Sequence, residues 1–150
     1  MKKIKKILLL LLVCSITLPL TACGNKNVEG KLGEIMTKIY EDIPTDELPM
    51  LNTFNVLEME PDNISYYIGT DEIEYEDIAA SEPMMSSVAY SVVLVRMKDG
   101  ADIKAAKKEI KENVDPRKWV CVEVPKEDVI VKSKGDLIIL IMVADKNTRN

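Results

Sequence analysis

Val88-Ala89-Tyr90-Ser91-Val92-Val93-Leu94-Val95-Arg96-Met97 is the stretch on which the fold turns. Its density of β-branched residues predicts a strand over residues 88–97, ended by Asp99-Gly100. Leu137-Ile138-Ile139-Leu140-Ile141-Met142-Val143 is apolar at every position and predicts a second strand, covered on both faces. Two amphipathic helices are at hand to cover them. Val28, Leu32, Ile35, Met36, Ile39 and Ile43 recur at helical spacing over residues 28–42, and Ile103, Ala106, Ile110 and Val114 do so over 102–114, with Lys104, Lys107, Lys108 and Lys111 outside. One helix on each face is the expected arrangement, because monomers seldom leave large apolar faces bare. Both helices on one face would instead leave the other for a partner or a dimer mate.

Working outward, residues 61–68 predict a brief helix with proline near its start and Gly69 as a left-handed stop. Residues 48–60 read as irregular. Residues 72–80 alternate, Ile73 and Tyr75 against Glu72, Glu74 and Glu76, as a half-buried strand does. Asp115-Pro116 ends the second long helix. Strands are then expected at 119–124 and 129–132, the latter joined to 137–143 by a tight turn at 133–136 that uses Gly135. The order predicts an α+β fold, a mostly antiparallel four- to five-stranded sheet packed with two main helices and one short helix.

The amino terminus reads differently. Lys2, Lys3, Lys5 and Lys6 precede an unbroken aliphatic run at 7–13, Pro19 and then Leu20-Thr21-Ala22-Cys23, the layout of an export signal. That tetrad resembles the lipobox of bacterial lipoproteins. The resemblance implies a signal peptide at 1–22, a diacylglyceryl group on the Cys23 thiol, a lipidated tether at 23–27 and a single α+β domain at 28–150. A membrane-spanning helix is the weaker reading, since the apolar stretch falls short of the ~20 residues a span needs and contains a proline. Two acyl chains hold a protein durably where one does not, so the expected location is the outer face of the cell membrane. Processing would take the formal charge from −5 to −9 by removing four lysines, and would leave Cys121 as the one free thiol.

With no histidine in 150 residues, Ser/His/Asp triads, Cys/His pairs, imidazole-bound zinc and HExxH helices are excluded. Ser-x-x-Lys, the phosphate loop and GxGxxG are also missing. No Lys or Arg lies between Lys38 and Arg96, an interval that holds 13 acidic residues, which argues against nucleic acid or anionic lipid headgroups as ligands. The cluster from Asp71 to Asp77 invites calcium but lacks a loop that would converge its oxygens, so a solvated face protecting a strand edge is expected. Cys121 is expected to be a buried, inert strand thiol. Seven methionines survive processing; thioethers bind copper(I), though scattered methionines usually fill cores, and no cofactor is expected.

Tyr66, Tyr67 and Trp119 are the large amphipathic aromatics, and Trp119 follows Arg117-Lys118, so Trp119, Arg117, Tyr66 and Tyr67 are the candidate ligand or partner contacts. For Trp119 a core position is the commoner alternative. Ser86-Ser87-Val88-Ala89-Tyr90-Ser91-Val92-Val93, Asn113-Val114-Asp115-Pro116-Arg117-Lys118-Trp119 and Gly135-Asp136-Leu137-Ile138 resemble a family of small lipoproteins of unknown function in clostridia-like Gram-positive bacteria. The likeness runs from the first helix to the last strand. It implies an accessory role in modifying surface polymers, beside membrane-bound O-acyltransferases. The expectation is a non-catalytic binding or interaction module at the cell envelope, tied to the membrane by its lipid and meeting an envelope protein or surface polymer. A carboxylate-dependent enzyme acting on surface polymers is the alternative.

Overall fold

The computed structural model describes residues 27–144; the signal segment, Cys23 and most of the tether lie outside the described residues, as do residues 145–150. Helix α1 (Leu32–Glu41) is followed by strand β1 (Leu51–Asn55) and the short helices α2 (Val56–Met59) and α3 (Ile64–Ile68). Strands β2 (Tyr75–Pro83) and β3 (Tyr90–Met97), helix α4 (Ile103–Asn113), and strands β4 (Ile130–Lys134) and β5 (Leu137–Val143) complete the chain. The five strands form one sheet in the order β1-β2-β3-β5-β4, antiparallel at every pairing. This is the α+β architecture expected.

Strand alternation divides the core in two. Tyr90, Val92 and Leu94 of β3 and Leu137, Ile139, Ile141 and Val143 of β5 point to one face, where Leu32, Met36 and Ile39 of α1 and Ile43 close over them. Val93, Val95, Met97, Ile138, Leu140 and Met142 point to the other, beneath Ala106 and Ile110 of α4, Val56 of α2, Tyr67 and Ile68 of α3, and Trp119. Helices therefore cover both faces. Each of Leu32, Met36 and Ile39, at most 2% exposed, contributes ~1.5–3 kcal/mol by leaving water, which fixes α1 despite its lack of a side-chain N-cap. On α4, Asp102 supplies that cap by accepting from the Ala105 N–H at 2.9 Å.

Gly69 lies where α3 meets the end of α4. Its φ is +82°, and a Cβ there would stand 2.2 Å from the Val114 nitrogen, so both conformation and space demand glycine. At the other end of the sheet, Asp136 accepts from the Val28 N–H at 3.1 Å and lies 4.0 Å from the Arg96 guanidinium, which donates to the Gly30 carbonyl at 2.9 Å. The start of the domain is thereby tied to the ends of the two central strands.

Three expectations are corrected. Residues 119–124 are not a strand: the Val120 N–H donates to the Ser86 carbonyl and the Val124 N–H to the Pro116 carbonyl, so the segment loops across the end of the sheet. Both central strands already have two neighbours, so the segment pairs with neither of them. The outer strand is instead β1, inside the stretch read as irregular; its five residues are half-exposed and carry little alternation. Strand β2 also runs to Pro83, past the expected end at Ala80, because β1 pairs with that half.

Candidate functional site

Glu82 and Ser91 share the α4 face of the sheet on adjacent strands, since the β2–β3 register that pairs Ser81 with Val92 next brings Glu82 opposite Ser91. The chain leaving α4 turns at Pro116 and lowers Lys118 onto them. The Lys118 ammonium donates to Glu82 Oε1 at 2.8 Å and lies 3.3 Å from Ser91 Oγ, while the Ser91 hydroxyl donates to the same Glu82 oxygen. The lysine side chain is 3% exposed and the glutamate 13%. Three rings surround the cation, with Tyr66 at 4.5 Å from its centroid and Tyr67 and Trp119 each at 5.4 Å. Tyr66 and Tyr67 meet edge to face at 5.1 Å, and Phe54 of β1 meets Tyr67 the same way at 5.8 Å.

Burial pulls the Lys118 ammonium below the usual lysine range, and the Glu82 carboxylate opposes that shift. Burial also pushes the Tyr67 hydroxyl well above the usual tyrosine range, reinforced by Glu60, and raises Tyr66 in the same sense with Glu82 adding to it. With a carboxylate at 2.8 Å the lysine keeps its proton. Lys118 and Ser91 are the two groups a serine/lysine acyl enzyme uses, brought together from positions no short motif links. Yet Glu82 accepts from both, leaving neither a free base nor an activated hydroxyl, and Ser91 is fully buried. The cluster is a packed base for what lies above it.

Three of the four residues singled out from the sequence thus surround one ammonium. Arg117 does not join them: its side chain is 75% exposed, 3.7 Å from Asp115, on a shallow groove of ≈ 470 Å³ also lined by Glu123 and Lys126. Lys118, Glu82 and Ser91 were missed. Cys121 is corrected too, being exposed and held at φ +59°, a left-handed conformation that a non-glycine residue adopts only under constraint. In the acidic stretch Glu72, Glu74 and Glu76 face solvent, while Asp77 accepts from the Asn55 side chain at 2.7 Å. Among the described residues no three His, Cys, Asp or Glu side chains gather to hold a metal.

Above the ion pair the end of the sheet is apolar and open. Met84 N–H donates to the Met50 carbonyl at 2.9 Å, carrying the β1–β2 pairing one step beyond Leu51 and Pro83. Met85 follows, and the Val120 N–H bonds the Ser86 carbonyl at 2.8 Å, joining this turn to the Trp119 loop. Met50, Met84, Met85, Val120 and Tyr66 are all exposed. Of the methionines expected as core filler, Met36, Met97 and Met142 are buried, whereas Met50, Met59, Met84 and Met85 are not.

Fold and site together define an α+β domain with helices on both faces of an antiparallel sheet and an apolar rim seated on a buried ion pair. No protein-family model matches the chain, and neither a curated protein nor a solved structure is similar to it.

Proposed function

We propose that this protein is a lipid-anchored extracytoplasmic lipoprotein whose domain is a non-catalytic binding or interaction module at the cell envelope. The observation that carries the binding role is the exposed rim of Met50, Met84, Met85, Val120 and Tyr66, held on the rigid Lys118–Glu82–Ser91 base. The lipobox resemblance at Leu20-Thr21-Ala22-Cys23 supports the anchor, and the likeness to small Gram-positive lipoproteins supports the location. The geometry of attachment fits both. The tether would enter at Val28 and Gly30, beside Arg96, and Arg96 and Ser91 are separated by five residues of β3, about 17 Å of strand. The rim lies at the end of the domain away from Val28, where the proposed tether would join, and this supports the reading.

Two measurements test the reading. Cys23→Ala should abolish labelling by an alkyne fatty acid and release the protein from membranes; unchanged labelling and fractionation refute the anchor. A photo-crosslinker at position 120 should join the protein to an envelope component, and one at position 132 on the exposed side of β4 should not. Equal capture from both positions refutes the rim as the binding end, and none from either refutes it as a docking surface for a macromolecule.

A further inference from the structure

We infer that the rim is a binding site for a soft monovalent cation, copper(I) being the physiological candidate, with the thioethers of Met50 and Met84 as its principal ligands and Met85 and the Cys121 thiol beside them. This names the ligand class of the rim and rests on its being the binding end of the domain.

The kind of side chain that projects is the first ground. Six large apolar residues are exposed, and four are methionines at 60–73% exposure; the others are Tyr66 and Val120, while no Leu, Ile or Phe among the described residues is exposed to that degree. Thioethers thus dominate the rim, with one aliphatic residue, Val120, and one aromatic, Tyr66, beside them. Thioethers differ from them in having a soft lone pair, which favours Cu(I) and its d10 relative Ag(I).

Placement is the second ground. Met84 lies two residues beyond Glu82 on β2, and Met50 two residues before Asn52, the β1 partner of Glu82; both therefore emerge on the face that carries Lys118 and Tyr66. Directly opposed residues of antiparallel strands have Cβ atoms about 4.5–5.5 Å apart, and three side-chain torsions let two Met sulfurs meet over that span. Met85 is next in the chain. The bond from Val120 to Ser86 sets the Cys121 loop against this turn, with the thiol on the surface. Copper(I) accepts two or three such ligands.

Electrostatics also favour a cation of this kind. The strands and turn that supply Met50, Met84 and Met85 belong to the interval without Lys or Arg, and the nearby Lys118 charge is balanced by Glu82 at 2.8 Å. Hard divalent ions are poorly served, because no three carboxylates converge among the described residues.

Silver(I), which binds as copper(I) does without redox chemistry, is the probe. The full-length lipidated protein in detergent micelles, labelled at the methionine methyls, is titrated with Ag(I) and followed by NMR. The methyls of Met50 and Met84 should shift and saturate at one equivalent, while Met36, Met97 and Met142 in the core and Met59 at the end of α2 stay in place. Met50→Leu and Met84→Leu keep bulk and apolarity, and each should weaken binding at least about tenfold, the scale set by losing even an outer partner of a metal site. Cys121→Ser should retain the Met50 and Met84 shifts. Unmoved rim methyls at one equivalent, equal movement of Met59, or binding that vanishes only with Cys121→Ser overturns the proposal. Unmoved methyls with capture from position 120 intact would show that the rim docks a protein and that the soft-ion proposal alone fails; loss of both would remove the binding reading as well.

Discussion

Removing Glu82 should damage this protein far more than removing Glu82 and Lys118 together. In Glu82→Gln the ammonium stays under three rings with 3% exposure and loses the compensating negative charge, keeping only neutral acceptors, the amide oxygen and the Ser91 hydroxyl at 3.3 Å. Breaking a buried pair in this way typically costs about 3–5 kcal/mol. Lys118→Met leaves a methionine that fits the same slot between Tyr66, Tyr67 and Trp119, and the stranded carboxylate is the more exposed partner at 13% with the Ser91 hydroxyl still donating to it, so about 1–3 kcal/mol is expected. The double variant removes both charges while retaining volume, and should fall within ~1–2 kcal/mol of the parent, far short of the sum. Urea unfolding read by fluorescence of Trp119, the one tryptophan, reports on the cluster directly. A Glu82→Gln loss under ~1 kcal/mol, or a double variant equal to the sum of the singles, would refute the account of Lys118 as a desolvated, compensated charge.

Gly69→Ala and Gly100→Ala form a matched pair: both glycines have φ near +80°, but a Cβ meets backbone at 2.2 Å only at Gly69, so Gly100→Ala should cost ~1–2 kcal/mol and Gly69→Ala clearly more; equal unfolding midpoints would contradict this. Asp102→Ala removes the α4 cap and should lower stability by ~1 kcal/mol, with Asp102→Asn close to neutral in the same urea assay. Tyr40, Tyr67 and Tyr90 are all raised above the ordinary tyrosine value, chiefly by burial, so above pH ~10 the folded chain holds more protons than the unfolded one and stability must fall as pH rises. Lys118, whose ammonium is lowered, acts oppositely, adding stability as pH climbs toward the ordinary lysine value. The unfolding midpoint should therefore drop beyond pH 10, less so in Tyr90→Phe; a flat profile to pH 11 argues against buried neutral phenols. In native protein Cys121 should react with a thiol reagent at the rate of an exposed cysteine, and slow reaction would contradict its placement.

What could be read from the chain alone follows from how local each signal is. Leu137–Val143 matches its expected span residue for residue, because an uninterrupted apolar run buried on both faces needs no partner to be recognised. Helices α1 and α4 were equally plain, and Gly69 marked the end of α3 as a left-handed cap should. β1 was not, because a short outer strand takes its structure from the neighbour it pairs with. The site was half legible. Aromatic character brought out Tyr66, Tyr67 and Trp119, but Lys118, Glu82 and Ser91 come from three separate segments, and only the β2–β3 register and the turn at Pro116 bring them together. Trp119 to Val124 has a β-rich composition, but it lies between Pro116 and Pro125, and prolines so close on either side favour a loop over a strand.

The tie between Val28, Gly30, Arg96 and Asp136 has a mechanical consequence. Any pull transmitted along the leading segment reaches the folded body at the termini of its innermost strands, each laddered on both sides, before it reaches α1. The load is thus shared by the doubly paired central strands rather than peeling away an outer helix.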